Sequence, residues 1–165
     1  MITDIEKEFL RESNLIEAET SEKSLEDAIT AWEYFRDVDN PFSLESILEC
    51  HRLLMRRCYP EIAGKIRECD VYIGGSCRPF ISIQLIEDSI KFLFKKIIYS
   101  QHASEEITKN YHVEFEFIHP FVDGNGRVGR ILYNAHRMRL GLPIHVIHSG
   151  DEQYEYYNWF NKGGK

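Results

Sequence analysis

The sequence predicts a mainly α protein, a helical bundle interrupted by one small β-hairpin. Capping signals recur ahead of apolar stripes spaced three and four residues apart. One short β-rich run ends in Gly-Gly. No repeat, low-complexity stretch or linker divides the 165 residues, so they read as a single domain, 1–165.

Each element follows from local signals. Thr3-x-x-Glu6 reads as a capping box, and Ile5, Phe9 and Leu10 give the first apolar stripe. Ser24-x-x-Asp27 marks a second start, before Leu25, Ala28, Ile29, Trp32 and Phe35; Asp39-Asn40-Pro41 stops that helix. Ser43 opens a third, with Leu44, Ile47, Leu48, His51, Leu54 and Met55 inward. A fourth runs from about Ser82 to Ser100. The fifth begins near Ser104, with Glu105 and Glu106 in a first turn that favours negative charge. The sixth covers about Asn125 to Leu140 and closes at Gly141 before Pro143, and a short last helix covers Gln153 to Phe160. Between the third and fourth helices, Val71-Tyr72-Ile73-Gly74-Gly75 reads as a hairpin, a candidate recognition flap.

Composition removes several classes of function. The chain is 43% hydrophobic and 28% charged, an ordinary globular balance. Lys plus Arg is 20 and Asp plus Glu is 27, giving a net charge of −7; nucleic acid is not an expected partner, because phosphate backbones need clustered cations. The greasiest run, Ile90–Tyr99, is broken by Lys91, Lys95 and Lys96, so no membrane span is expected. The first residues carry no basic-then-apolar leader pattern, and the expected compartment is cytoplasmic. Cys50, Cys58, Cys69 and Cys77 contain no C-x-x-C pair and read as free thiols, with Cys50 and Cys58 on one helix. His145-x-x-His148 lacks a third ligand and is weak evidence for a metal.

Residues 119–130, HPFVDGNGRVGR, carry the chemistry. His119-Pro120 stops the fifth helix. Asp123-Gly124-Asn125-Gly126 is a tight turn whose glycines can adopt positive φ and bring backbone N–H groups close to a ligand, and a helix begins at once. A glycine-rich turn into a helix N-terminus is a ready anion site. Arg127 and Arg130 follow one turn apart, at the helix end that disfavours cations by about 0.3–1 kcal/mol each. Their placement points to an anionic ligand; a solvated basic face is the plainer alternative. Asp123 offers a hard oxygen ligand for Mg²⁺, and His119 supplies a base. Together they form a kit for phosphoryl or nucleotidyl transfer.

Three other motifs overlap these letters. Gly124-x-Gly126-x-x-Gly129 matches the dinucleotide fingerprint but lacks the preceding buried strand, which leaves an oxidoreductase as a remote alternative. The Lys-Ser/Thr of a P-loop is missing, and Arg127 and Val128 stand where an EF-hand loop needs Asp or Asn and Gly.

HPFVDGNGRVGR resembles the signature of the Fic family, H-x-F-x-[DE]-G-N-G-R-x-x-R, at every defining position. Pro60–Arg67, PEIAGKIR, resembles the segment that leads into that family's flap. The resemblance implies a Fic fold and transfer of AMP from ATP to a Ser, Thr or Tyr hydroxyl of a target protein. It implies that His119 deprotonates the hydroxyl, Phe121 anchors the loop, and Asp123 holds Mg²⁺. Gly124, Asn125 and Gly126 would cradle the phosphates, with Arg127 on the phosphates and Arg130 on the γ-phosphate. Val71, Tyr72, Ile73 and Gly74 would pair with an extended segment of the target. Gly126 argues against the kinase-like Doc branch, which carries lysine there.

Ser13-Asn14-Leu15-Ile16-Glu17 resembles the family's inhibitory motif, [ST]-x-x-x-E-[GN], within a segment of about residues 4–20. The resemblance implies a bidentate pair between Glu17 and Arg130 that occupies the γ-phosphate's donors. Ala18 departs from the usual Gly or Asn. A solvated acidic face shared by Glu12, Glu17, Glu19 and Glu22 is the competing reading. Expected partners are ATP, a target protein, and a second copy of the chain, as auto-AMPylation substrate or in a homo-oligomer. Alternatives are transfer of another phosphate-containing group, removal of AMP, or a non-catalytic nucleotide-binding module.

Overall fold

The α1 helix, Asp4–Ile16, begins at the capping box the sequence spells out. Thr3 accepts from the Glu6 N–H, and the Glu6 carboxylate accepts from the Thr3 N–H at 2.7 Å. The same carboxylate is buried and receives Trp32 Nε1 and Arg36 Nη1, each at 2.8 Å. Burial alone would raise its pKa; the bonds from Arg36, Thr3 and Trp32 outweigh it and hold the group at about 2. Phe9 and Leu10 enter the core, whereas Ile5 lies on the exposed side. The structure, a computed structural model, describes residues 1–71, 81–100 and 104–161.

Helix α2, Glu22–Asp37, has its cap three residues before the expected Ser24. Ser21 is the cap, accepting from the Ser24 N–H at 3.1 Å. Asp27, which read as half of a start signal, is instead fully buried and paired with Arg56 and Arg57. Helix α3, Leu44–Met55, is capped by Ser43 as expected. Cys50 is buried there and burial pushes its thiol pKa up, but Cys58 lies beyond the helix end, correcting its placement on that helix. A 3₁₀ turn, Ile83–Leu85, precedes α4, Ile86–Tyr99, so the fourth helix starts later than Ser82. Then come α5, Glu105–Ile118, α6, Asn125–Arg139, and α7, Asp151–Asn161. Among the described residues there is no strand. Of the expected hairpin, Val71 is a half-buried coil residue; Tyr72, Ile73 and Gly74 lie outside the described residues, as does Cys77.

The core joins Trp32 and Phe35 of α2, Ile47 and Leu54 of α3, Ile86, Ile90 and Phe94 of α4, Phe115 of α5 and Val128 of α6. Helix α2 packs most extensively on α3, and α5 on α6. Helix α6 also touches α1, α2 and α3, so its glycine-rich start is held from several sides. A second apolar cluster of Ile16, Ile147 and Tyr156 fastens α7 to the end of α1. No described helix is long and apolar enough to cross a membrane.

Candidate active site

The loop joining α5 to α6 is fixed through its backbone. His119 ends α5 in a left-handed conformation, φ 48°, ahead of Pro120. Arg67 is buried; its Nε donates to the His119 carbonyl at 2.8 Å and its backbone N–H to the Pro120 carbonyl at 2.9 Å. Its other guanidinium nitrogens bond the carbonyls of Cys69 and Ile81, tying both stems of the intervening segment to the loop. His51 bonds the Asp123 carbonyl at 3.0 Å, and its ring stacks on Phe121 at 3.8 Å. The Gly64 N–H donates to His51 Nδ1, so Nε2 carries the proton it gives to Asp123. Burial lowers the His51 pKa to about 4, in keeping with that neutral form. The Asn125 side chain closes on the backbone of Phe121, accepting its N–H and donating to its carbonyl, both at 2.9 Å.

Gly124 turns the chain into α6 with φ 79°, and a Cβ there would come within 2.8 Å of Met55 Sδ. Gly126 is helical, so only the first of the two loop glycines uses positive φ. Its lack of a side chain serves another end, because a Cβ would collide with the Glu17 carboxylate. Among the described residues no side chain caps α6, which leaves its first-turn N–H groups to a ligand. Asp123 is exposed beside this start, with Oδ1 accepting from the Gly124 N–H at 2.6 Å.

The two arginines reach different partners. Arg127 is buried toward α3, with Nη2 on Met55 Sδ and with Nε and Nη1 lacking any partner. Buried cationic donors left unpaired are costly, and an anion would satisfy them. Arg130 is buried toward α1 and α7. Its Nε donates to Ser13 Oγ, its Nη2 to the Ser13 carbonyl and to Glu17 Oε1 at 2.8 Å, and its Nη1 to the Tyr156 hydroxyl at 3.3 Å. The Glu17 contact is therefore single rather than bidentate, made through Nη2 alone, while Ser13 takes Nε and shares Nη2 and Tyr156 accepts from Nη1. Ala18 takes φ 58° after α1, with its N–H on the Leu15 carbonyl and the Glu19 N–H on the Asn14 carbonyl. The turn normally given to glycine forms with alanine.

His119 is half-buried, and its Nδ1 lies 3.2 Å from the Glu116 carbonyl. A carbonyl only accepts, so Nδ1 holds the proton and Nε2 is the basic nitrogen. Burial, foremost, lowers the pKa and favours the neutral base. Behind it the Glu116 carboxyl is buried, Oε1 has no partner, and burial raises its pKa to about 8. Gly129 lies so close that a Cβ would strike Glu116 Oε1.

The structure thus brings His119, Asp123, Gly124, Asn125, Gly126, Arg127, Arg130 and Glu17 into one neighbourhood. His145 and His148 separate: the first bonds Tyr133, the second Glu8 and Glu152. No group of three or more His, Cys, Asp or Glu among the described residues is arranged to hold a metal ion. A single exposed carboxylate, Asp123, still fits Mg²⁺ that arrives on phosphates, since that ion keeps waters and substrate oxygens as its other ligands. Sequence reasoning missed His51 and Arg67 as loop holders, and Tyr156; a histidine within the apolar stripe of α3 was the available signal.

Solved structures share this fold. Fic-1 (aa134–508) of Caenorhabditis elegans matches with a TM-score of 0.80 at 20% identity, covering 99% of this chain and 56% of that one. The BepC protein of Bartonella tribocorum, solved with bound AMPPNP, matches at 0.57 and 21% identity, covering 73% of this chain and 67% of that one. The Fic/DOC family model matches residues 41–136, and the chain belongs to that family. A curated relative, the protein adenylyltransferase Fic of Drosophila virilis, is 36% identical over 121 residues, 71% of this chain; that of Drosophila melanogaster is 34% identical. The chain spans about a quarter of the length of these relatives (24%).

Proposed function

We propose that this chain is a protein adenylyltransferase that moves AMP from ATP to a Ser, Thr or Tyr hydroxyl of a target protein, with residues of about 4–20 acting as an inhibitory segment. The observation that supports the reading is the start of α6, which no described side chain caps, in the same loop region as Arg127, with its unpaired buried donors, and the His119 imidazole. Such a site holds phosphates and a base together. The target hydroxyl oxygen attacks the α-phosphorus and pyrophosphate leaves; His119 Nε2 takes the hydroxyl proton. Asp123 would hold Mg²⁺, which neutralises charge on the phosphates when bound. Names of relatives support the same activity, and the AMPPNP bound to BepC is in keeping with a nucleotide ligand.

Glu17 supplies the brake. Its carboxylate lies over Gly126 and takes an Arg130 donor that the γ-phosphate needs. The test is intact-mass measurement after incubation with Mg²⁺ and ATP, on the native chain and on Glu17→Gly, with a candidate target present. Addition of AMP to the chain or target by Glu17→Gly is expected. Absence of any AMP adduct in both would overturn the assignment.

A further inference from the structure

Arg130 is gripped from a side that Glu17 does not touch. Its Nη1 donates to the Tyr156 hydroxyl of α7 at 3.3 Å, and its Cζ lies 5.6 Å from the centre of the Tyr156 ring. That hydroxyl is 2.9 Å from His112 Nε2, and His112 Nδ1 is 3.0 Å from the Gly129 carbonyl. The direction of every bond in this chain follows from one fact, that a carbonyl has no proton to give. His112 Nδ1 must donate to Gly129. The ring is fully buried beside a guanidinium and stays neutral, so Nε2 must accept, and it takes the Tyr156 proton. The Tyr156 oxygen is left with lone pairs only, turned toward Arg130. Tyr156 is itself buried among Ile16, Ile147, Trp159 and Phe160. All of α7 lies outside residues 41–136, the span of the family match.

We propose that Tyr156, oriented by His112, is a positioning residue that holds the Arg130 guanidinium in place once Glu17 has left it, making α7 part of the γ-phosphate site. The inference rests on the nucleotide reading of the site. When Glu17 withdraws, one Nη2 donor is released, while Ser13 and Tyr156 still fix the plane of the guanidinium. A guanidinium already oriented loses less freedom on meeting a phosphate oxygen. Without the hydroxyl, Nη1 has no acceptor and His112 Nε2 no donor.

The test compares Glu17→Gly with Glu17→Gly/Tyr156→Phe by calorimetric titration of Mg²⁺-ATP and Mg²⁺-ADP. The parent is expected to bind ATP more tightly than ADP. Tyr156→Phe is expected to weaken ATP about five- to tenfold, the cost of ordering one freed side chain, and to leave ADP within about twofold. A purely structural tyrosine would lower the unfolding midpoint or weaken both nucleotides alike, and an unchanged ATP-to-ADP ratio overturns the proposal. Should the phenylalanine variant fail to fold, His112→Leu removes the acceptor of the Tyr156 proton one link earlier; it is expected to shift the same ratio in the same direction, and no shift again overturns it. AMP transfer by the parent is scored separately. A parent that discriminates ATP from ADP yet modifies no protein sinks adenylyl transfer, while the ratio still decides Tyr156.

Discussion

Glu17→Gly removes the carboxylate contact from the proposed inhibitory segment to Arg130 and leaves the Ser13 bonds in place, and the size of the effect follows from geometry. The Arg130 side chain is 2% exposed and that of Glu17 39%, with one 2.8 Å contact. Two unit charges near a protein surface attract by about 4 kcal/mol at 4 Å and an effective dielectric of about 20. The exposed carboxylate keeps part of its hydration, which discounts that figure. A single charge-assisted hydrogen bond of about 1.5–3 kcal/mol is the better guide. If that contact competes directly with the γ-phosphate, its loss raises productive ATP binding by about 10- to 150-fold. The assay is the initial rate of AMP incorporation at ATP concentrations below saturation, followed by mass. Glu17→Gln, which keeps an acceptor but loses the charge, is expected between the two. Equal rates in native chain and Glu17→Gly would refute the competition, since Arg130 would then lie outside the rate-determining geometry.

Three further outcomes follow from the same contacts. His119→Ala in the Glu17→Gly background is expected to cut AMP incorporation by at least about 100-fold while nucleotide binding persists, as equilibrium titration would show. Ala18→Gly relieves a left-handed alanine and is expected to add about 0.5–1 kcal/mol to stability and to lower basal transfer; urea unfolding and the incorporation assay check both. Stability is expected to peak near pH 6.5. Below it, burial holds His51, His112 and His136 at about 4, 3 and 4, so the unfolded chain, near 6.5, binds more protons and acid destabilises; from 6.5 toward 8, Glu116 at about 8 retains a proton that the unfolded chain, near 4.5, has lost, costing about 1.4 kcal/mol per pH unit. Urea titrations from pH 4.5 to 8.5 that rise throughout would contradict it.

The sequence revealed what short range and ligand chemistry dictate. Thr3 with Glu6, and Ser43, announce their helices because a cap and its N–H lie three residues apart. The α2 start slipped because two serines stand three residues apart, and because the Asp27 carboxylate serves Arg56 and Arg57 in the turn after α3, 29 and 30 residues away. Residues of the candidate site were legible for a related reason. A phosphate demands cations, close backbone and a hard oxygen, so Arg127, Arg130, Gly124, Gly126 and Asp123 advertise it by type. Arg67, His51 and Tyr156 gave no such signal. Two of them act on backbone carbonyls, at separations of 52 and 72 residues, and every residue carries a carbonyl. No partner type marks the far end of such a bond. Tyr156 meets His112 and Arg130 only because α7 returns to the bundle, which no local pattern encodes. The pairing of Glu17 with Arg130, 113 residues apart, was legible through family resemblance, and the single-point form of the contact was not. That form goes with Ser13 and Tyr156 holding the guanidinium from its other sides. The site is therefore read in two layers: the groups that meet ligand are fixed by the ligand's chemistry, and the groups that aim them are fixed by the fold.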